Sequence, residues 1–219
     1  MHIEFVTDTY PPDINGAAKT LEHLVRCLRD GGHKATLIGP HVHSSLAVFS
    51  VRVPKYSSVN IGLIRASRLK SYWQEHRPDV IYIAGEAFLG FAAMKAASKL
   101  EIPVIAGYHT NFSQYAENWK LKFLAKPAIR HLRKFHNRAP ANVIPSLSVI
   151  EDLKKEGFNN LHLMGRGVDA ELFHPSKRSA DRRAEWGAES NTPVALFASR
   201  ISPEKNLNLL SQAFKKMQQ

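Results

Sequence analysis

The stretch Met1-His2-Ile3-Glu4-Phe5-Val6-Thr7, leading through Asp8-Thr9-Tyr10-Pro11-Pro12-Asp13-Ile14-Asn15-Gly16 into Ala17-Ala18-Lys19-Thr20-Leu21-Glu22-His23-Leu24-Val25-Arg26-Cys27-Leu28, decides the fold. Residues 2–7 are a short apolar run that reads as a strand. Beyond the turn-rich loop, Leu21, Leu24, Val25 and Leu28 recur at helical spacing and form one apolar stripe. Gly31-Gly32 supplies a stop for a helix over 18–30, and residues 34–38 again read as a strand.

The alternation continues along the chain. Strands are predicted over 47–53, 80–84, 103–107, 142–144, 161–164 and 194–198, and helices over 66–75, 87–100, 119–138 and 146–156. Short apolar strands separated by amphipathic helices argue for an α/β fold, a doubly wound parallel sheet with helices on both faces. Sites in such sheets lie beyond the carboxyl ends of the strands, which directs attention to the loops after Thr7, Ala84, Gly107, Ile144, Met164 and Ala198.

The last strand, Val194 to Ala198, runs into Ser199-Arg200-Ile201-Ser202-Pro203-Glu204-Lys205. Ser202 is a good N-cap and Pro203 suits a first helical turn, so a helix is expected to start there. Arg200 and Lys205 would then flank unpaired backbone N–H groups, an arrangement that suits a phosphate and equally suits two solvated surface charges. The charged stretch 176–191, containing Arg182-Arg183, reads as an interdomain connection. The expected organisation is an N-terminal domain over 1–175, this linker, and the opening strand and helix of a second domain over 192–219.

The composition is that of an ordinary globular protein of 219 residues, with a net charge of +11 that asks for an acidic partner. Residues 120–138, from Lys120 to Arg138, carry seven cations and no acid over an apolar stripe of Leu121, Leu124, Ala128, Leu132 and Phe135, with Pro127 expected to kink or interrupt the helix. This segment reads as a basic solvated face over the core, or as a contact for an anionic membrane surface. The single cysteine, Cys27, excludes an internal disulfide and is expected to be a buried, inert thiol. No signal peptide or membrane span is legible, and residues 80–97, the nearest approach to one, are broken by Gly85, Glu86 and Gly90. The expected location is cytoplasmic, with a peripheral position at the inner face of the membrane if the basic helix makes that contact.

Three loops carry chemistry. Asn15-Gly16 precedes the first helix, where glycine lets a phosphate approach the backbone. No G-x-G-x-x-G and no P-loop accompany it, which weakens dinucleotide and NTPase readings. His109, in Gly107-Tyr108-His109-Thr110-Asn111-Phe112, sits on a loop at a strand's carboxyl end, where a site residue belongs. Asp169, in Gly165-Arg166-Gly167-Val168-Asp169, reads as a ligand, a hinge contact or a turn residue. The spacing of His, Cys and acids supports no metal site, and no G-x-S-x-G elbow is present. Net charge alone supports nucleic-acid binding, without any reading motif, so no specific nucleic-acid partner is expected.

Tyr10-Pro11-Pro12 through Asn15-Gly16, then Tyr108-His109-Thr110-Asn111-Phe112, then Gly165-Arg166-Gly167-Val168-Asp169 with Phe173-His174-Pro175, then Arg200 to Leu207, resemble glycosyltransferase family 4 in order and spacing. That resemblance implies a GT-B enzyme with two Rossmann-like domains facing across a cleft, retaining and dependent on a nucleotide-diphosphate sugar as donor. Gly16 would approach the donor diphosphate beside Asn15, His109 would contact the transferred sugar, and Arg200 and Lys205 would neutralise the leaving group. Tyr10, Asp13 and Asp169 are expected on the acceptor side, facing a sugar or a lipid-linked acceptor. No cofactor or metal is expected. Ser199 replaces the family's usual glycine before the arginine, and the family's downstream Glu-x7-Glu signature would lie beyond Gln219. Most of the donor domain is therefore expected outside this sequence, and the 219 residues alone are expected to be inactive. The rival reading is a non-catalytic module that binds phosphate or an anionic membrane.

Overall fold

The computed structural model describes residues 1–219 apart from 41, 43, 45, 54–55, 110–121, 200, 202–204 and 218–219, and leaves aside the side chains of 53, 56–59 and 122–125. Six strands form one parallel sheet: β1 (His2–Val6), β2 (Lys34–Ile38), β5 (Val80–Ile83), β6 (Val104–Gly107), β7 (Ala141–Ile144) and β8 (Leu161–Leu163), in the order β2-β1-β5-β6-β7-β8. Winding proceeds from β1 to β2 on one side and then resumes with β5 on the other side of β1. The direction of winding reverses between β1 and β5, which makes their carboxyl ends the switch point of the sheet.

Strand alternation explains the two faces. Phe5 and Tyr82 point to one face, where they pack with Leu21 and Val25 of α1 (Gly16–Asp30), their own rings 5.1 Å apart. Val6, Ile81 and Ile83 point to the other, against Leu69 and Trp73 of α2 (Ala66–Glu75) and Leu89 and Ala93 of α3 (Phe88–Leu100). Leu132 of α4 (Lys122–His136) and Ile150 and Leu153 of α5 (Leu147–Lys155) form a third cluster with Tyr108, Ile144 and Phe158. The doubly wound α/β class read from the sequence is the fold observed, and α2 and β2 occupy the predicted spans.

Four expectations are corrected. Residues 49–53 do not join the parallel sheet: β3 (Phe49–Val53) pairs antiparallel with β4 (Tyr56–Leu63) in a separate hairpin. The sequence reading missed β4 because Ser57, Ser58, Asn60 and Gly62 are poor strand formers, and the Val59, Ile61, Leu63 alternation is all that marks it. The basic helix α4 runs through Pro127 uninterrupted. A proline so near the start of a helix forfeits one backbone hydrogen bond, which the rest of the helix outweighs. Cys27 is exposed, with Sγ 3.5 Å from His23 Nε2, because it lies off the α1 stripe formed by Ala18, Leu21 and Val25.

The fourth correction concerns the final strand. Residues 193–198 form no strand, and Leu196 and Phe197 are 75% and 45% exposed. An isolated strand leaves its backbone groups and side chains unpartnered, so β-propensity alone does not hold it. A helix follows at Leu207–Met217, later than expected from Ser202 and Pro203, which lie outside the described residues.

Candidate active site at the switch point

Beyond the carboxyl end of β1, Thr7 turns the chain by bonding both ways with Thr9, its hydroxyl donating to Thr9 O (2.7 Å) and accepting from Thr9 N (3.1 Å). Thr9 Oγ1 donates to Asp13 Oδ2 (2.9 Å) and accepts from Asn15 Nδ2 (2.7 Å), while Asn15 Oδ1 caps α1 by accepting from Ala18 N (2.8 Å). Asn15 and Asp13 are thus committed to shaping this loop. Such a cap is worth about 1 kcal/mol and leaves the first N–H groups of α1 facing the site. Gly16 opens the helix, and a side-chain carbon placed on it would come 3.8 Å from Arg166 Nη1. Arg166 therefore adds a cation where the helix end already favours an anion.

The β5 end is held to β1 by Ala84 N donating to Val6 O (2.8 Å). The following Gly85 lies so close to the β1 loop that a Cβ on it would stand 2.8 Å from Asp8 Oδ2. Asp8 reaches across to the hairpin, accepting from Gly62 N at 2.7 Å. Burial pushes its carboxyl up to about 6 against the pull of that backbone donor, and the neighbouring Glu86 charge adds to the rise. Glu86, next to Gly85, has its side chain 8% exposed, with Oε1 3.2 Å from Nε2 of the fully buried His136.

His109 follows β6, and its Nε2 lies 3.1 Å from the Tyr82 hydroxyl. Gly107 permits that contact: a Cβ there would sit on the hydroxyl and 2.5 Å from His109 Nε2. Burial lowers the imidazole to about 4; Glu86 opposes this, and Arg166 and His136 reinforce it. Burial likewise raises the Tyr82 phenol and pushes Tyr108 up to about 12, each with a further rise from Glu86. At neutral pH His109 is an uncharged donor and acceptor, so it suits a hydroxyl group and cannot neutralise a phosphate. The cations suited to that task are elsewhere, Arg166 among them, with Nη2 3.5 Å from His109 O.

The structure thus brings Asn15, Gly16, Asp13 and His109 to the carboxyl rim of one sheet, as the sequence reading expected. Tyr10 packs at its edge with the Phe5 cluster. Asp169 is exposed and spends Oδ1 on Glu171 N (3.1 Å) and Leu172 N (2.8 Å), the turn reading, and the Leu172 donor leads in holding its carboxyl below the usual range. Lys205 is exposed, with no bond to this cluster among the described residues. Arg200 and residues 110–112 lie outside the described residues. Sequence reasoning missed Asp8, Glu86, Arg166 and His136 as site residues. The first two are the first ionisable groups after β1 and β5, so the carboxyl-end rule was a sufficient signal for them.

Comparison with known proteins decides the family. Residues 14–172 match the description Glycosyltransferase Family 4. The chain belongs to glycosyltransferase family 4. It is 30% identical over 223 aligned positions to a GDP-mannose-dependent alpha-mannosyltransferase of Corynebacterium glutamicum, covering 96% of this chain and 54% of that protein. It is 27% identical over 216 positions to a sulfoquinovosyl transferase of Arabidopsis thaliana, covering 93% and 42% respectively. The chain spans about half the length of the curated relatives it matches. Among solved structures, a sucrose-phosphate synthase from Thermosynechococcus elongatus shares the fold, with a TM-score of 0.73 at 13% identity over 99% of this chain and 60% of that one.

Proposed function

We propose that the chain is the acceptor-side part of a retaining glycosyltransferase that moves a sugar from a nucleotide-diphosphate donor to a sugar or lipid-linked acceptor. The observation that carries this reading is the clustering, at one switch point, of a neutral imidazole, two carboxyls held largely out of water, and a cation beside a helix N-terminus. In the reaction the bond from the sugar's anomeric carbon to the diphosphate oxygen breaks. The acceptor oxygen bonds to the same face of that carbon, and its proton leaves with the phosphate. Carboxyls and a neutral histidine suit sugar hydroxyls; the helix end at Gly16 suits the diphosphate.

In this reading Arg200 and Lys205, on the opening segment of a second domain, neutralise the departing diphosphate from across the cleft. Residues 1–175 are the acceptor-side domain, 176–191 the connection, and 192–219 the start of the donor side. Tyr10, Asp13 and Asp169 line the acceptor approach, and no resident metal or cofactor takes part. GDP-mannose is the first donor to try, given the name of the Corynebacterium relative. The basic helix α4 fits peripheral contact with an anionic membrane at its cytoplasmic face; among the described residues no helix is long and apolar enough to cross one.

The test compares these 219 residues with a longer chain that completes the second domain, assayed against GDP-, UDP- and ADP-sugars. The longer chain is expected to transfer or hydrolyse one of them and the shorter chain to do neither. Transfer by the shorter chain at a comparable rate contradicts the two-sided site.

A further inference from the structure

Behind the rim, the fully buried His136 is backed by a second fully buried polar residue, Asn142. Asn142, inside β7, donates through Nδ2 to two carbonyls, His136 O (3.0 Å) and Asn159 O (2.9 Å). Those two bonds fix the carboxamide, since the flipped form would set oxygen against both carbonyls. Asn142 Oδ1 is therefore an acceptor, and it lies 2.7 Å from His136 Nδ1. His136 Nδ1 must carry a hydrogen. In a neutral ring Nε2 would then present a lone pair to Glu86 Oε1 at 3.2 Å, and two lone pairs do not attract. A second proton between these atoms would satisfy both.

The surroundings hold the ring in this pose. Phe135 meets it edge-on at 5.3 Å, with Tyr108 and Phe158 at 5.5 and 5.8 Å, so among the described residues the imidazole has no other polar partner to turn to. Glu86 is thus tethered by one oxygen. Among the described residues the other oxygen has no hydrogen-bond partner. That oxygen belongs to a group whose charge is felt by Asp8, Tyr82, Tyr108 and His109, the residues of the rim.

We infer that His136 is a positioning residue: anchored by Asn142 and sharing a proton with Glu86, it fixes the Glu86 carboxyl so that the second oxygen accepts a hydroxyl hydrogen of the bound sugar. This role rests on the glycosyl-transfer reading, whereas the proton's place does not. Nothing in the chain sequence marks His136 for it. The residue ends a basic helix, ten residues beyond Lys126, and looks like one more surface cation.

Two measurements test the inference. In the chain carrying isotope-labelled histidine, long-range proton–nitrogen NMR near neutral pH is expected to show His136 Nδ1 protonated, with the signal identified by its loss in His136→Gln. In Glu86→Gln the Nδ1 hydrogen should remain while Nε2 becomes a bare acceptor of the Gln amide. A wild-type ring protonated at Nε2 and bare at Nδ1 overturns the inference. In the longer, active chain, His136→Phe fills the same aromatic niche but leaves Glu86 untethered. It is expected to lower kcat by about tenfold or more, with nucleoside diphosphate affinity held within about twofold and part of the rate restored in His136→Gln, whose amide donates to Glu86. A His136→Phe rate within about twofold of wild type, while Glu86→Gln is impaired, overturns the positioning role. Absence of transfer by the wild type overturns the functional reading, and with it Glu86's role toward a sugar; the spectrum alone decides where the proton lies.

Discussion

The switch point and residues 193–217 depart from the usual inside–outside rule in opposite directions. At the switch point, ionisable groups are buried: Glu86 and His136 pair out of water, and Asp8 keeps its carboxyl at a site that resists its charge. Near the end of the chain apolar groups are exposed, with Leu196, Leu209 and Met217 at 75%, 60% and 76%. Buried acids cost free energy, and a fold retains them where chemistry requires them. Contiguous exposed apolar side chains mark a surface that another part of a protein covers. The first region is a cluster of ionisable groups already assembled on its own sheet. The second leaves its apolar side chains in water.

The larger prediction addresses the first region. The Asp8 carboxyl titrates near 6 when folded and near its ordinary value when unfolded, so between roughly pH 4 and 6 the folded state holds the extra proton. Stability from this group is therefore full at low pH and falls as pH rises through 6. Asp8→Asn keeps the acceptor for Gly62 N and removes the charge. It is expected to raise stability by up to about 3 kcal/mol at pH 8 and by nothing at pH 4, measured by urea unfolding at both values. Equal effects at the two pH values would break the contrast between the regions, because Asp8 would then carry no cost of burial. His109 works in the other sense: lowered to about 4, it takes stability away as pH falls below its ordinary value.

The smaller prediction addresses the second region. Leu196→Ser with Phe197→Ser is expected to change the unfolding free energy of these 219 residues by less than about 0.5 kcal/mol, as for exposed positions generally. In a longer chain with a completed second domain, the same pair is expected to cost about 3 kcal/mol or more. A large loss in the shorter chain would mean that these side chains are already packed.

Most of the sheet was legible because its strands are short, apolar and separated by helices with one clear stripe, as α1 shows with Leu21 and Val25. The β3–β4 hairpin was not, since Ser57, Ser58, Asn60 and Gly62 have little strand propensity, and Gly62 is held by Asp8 and lies close under Leu89. Asn15, Gly16 and His109 drew attention because each lies in or just after a loop of unusual composition that follows a strand. Asp8 and Glu86 sat in equally suspect loops, but a lone acid beside a strand looks like solvated surface. His136 was hidden most deeply: its role depends on Asn142, whose side chain is oriented by two carbonyls that no sequence pattern records. Residues 194–198 have the propensity of a strand and no neighbour to pair with, and they form none.

The most direct test of the central claim is sugar transfer by the longer chain carrying His109→Ala, measured against wild type with the donor that supports turnover. If the neutral imidazole meets the sugar near the reacting carbon, as proposed, its loss is expected to lower kcat by about a hundredfold, about 3 kcal/mol of transition-state stabilisation. An unchanged kcat would place the chemistry away from the rim of β1, β5 and β6 and contradict the account.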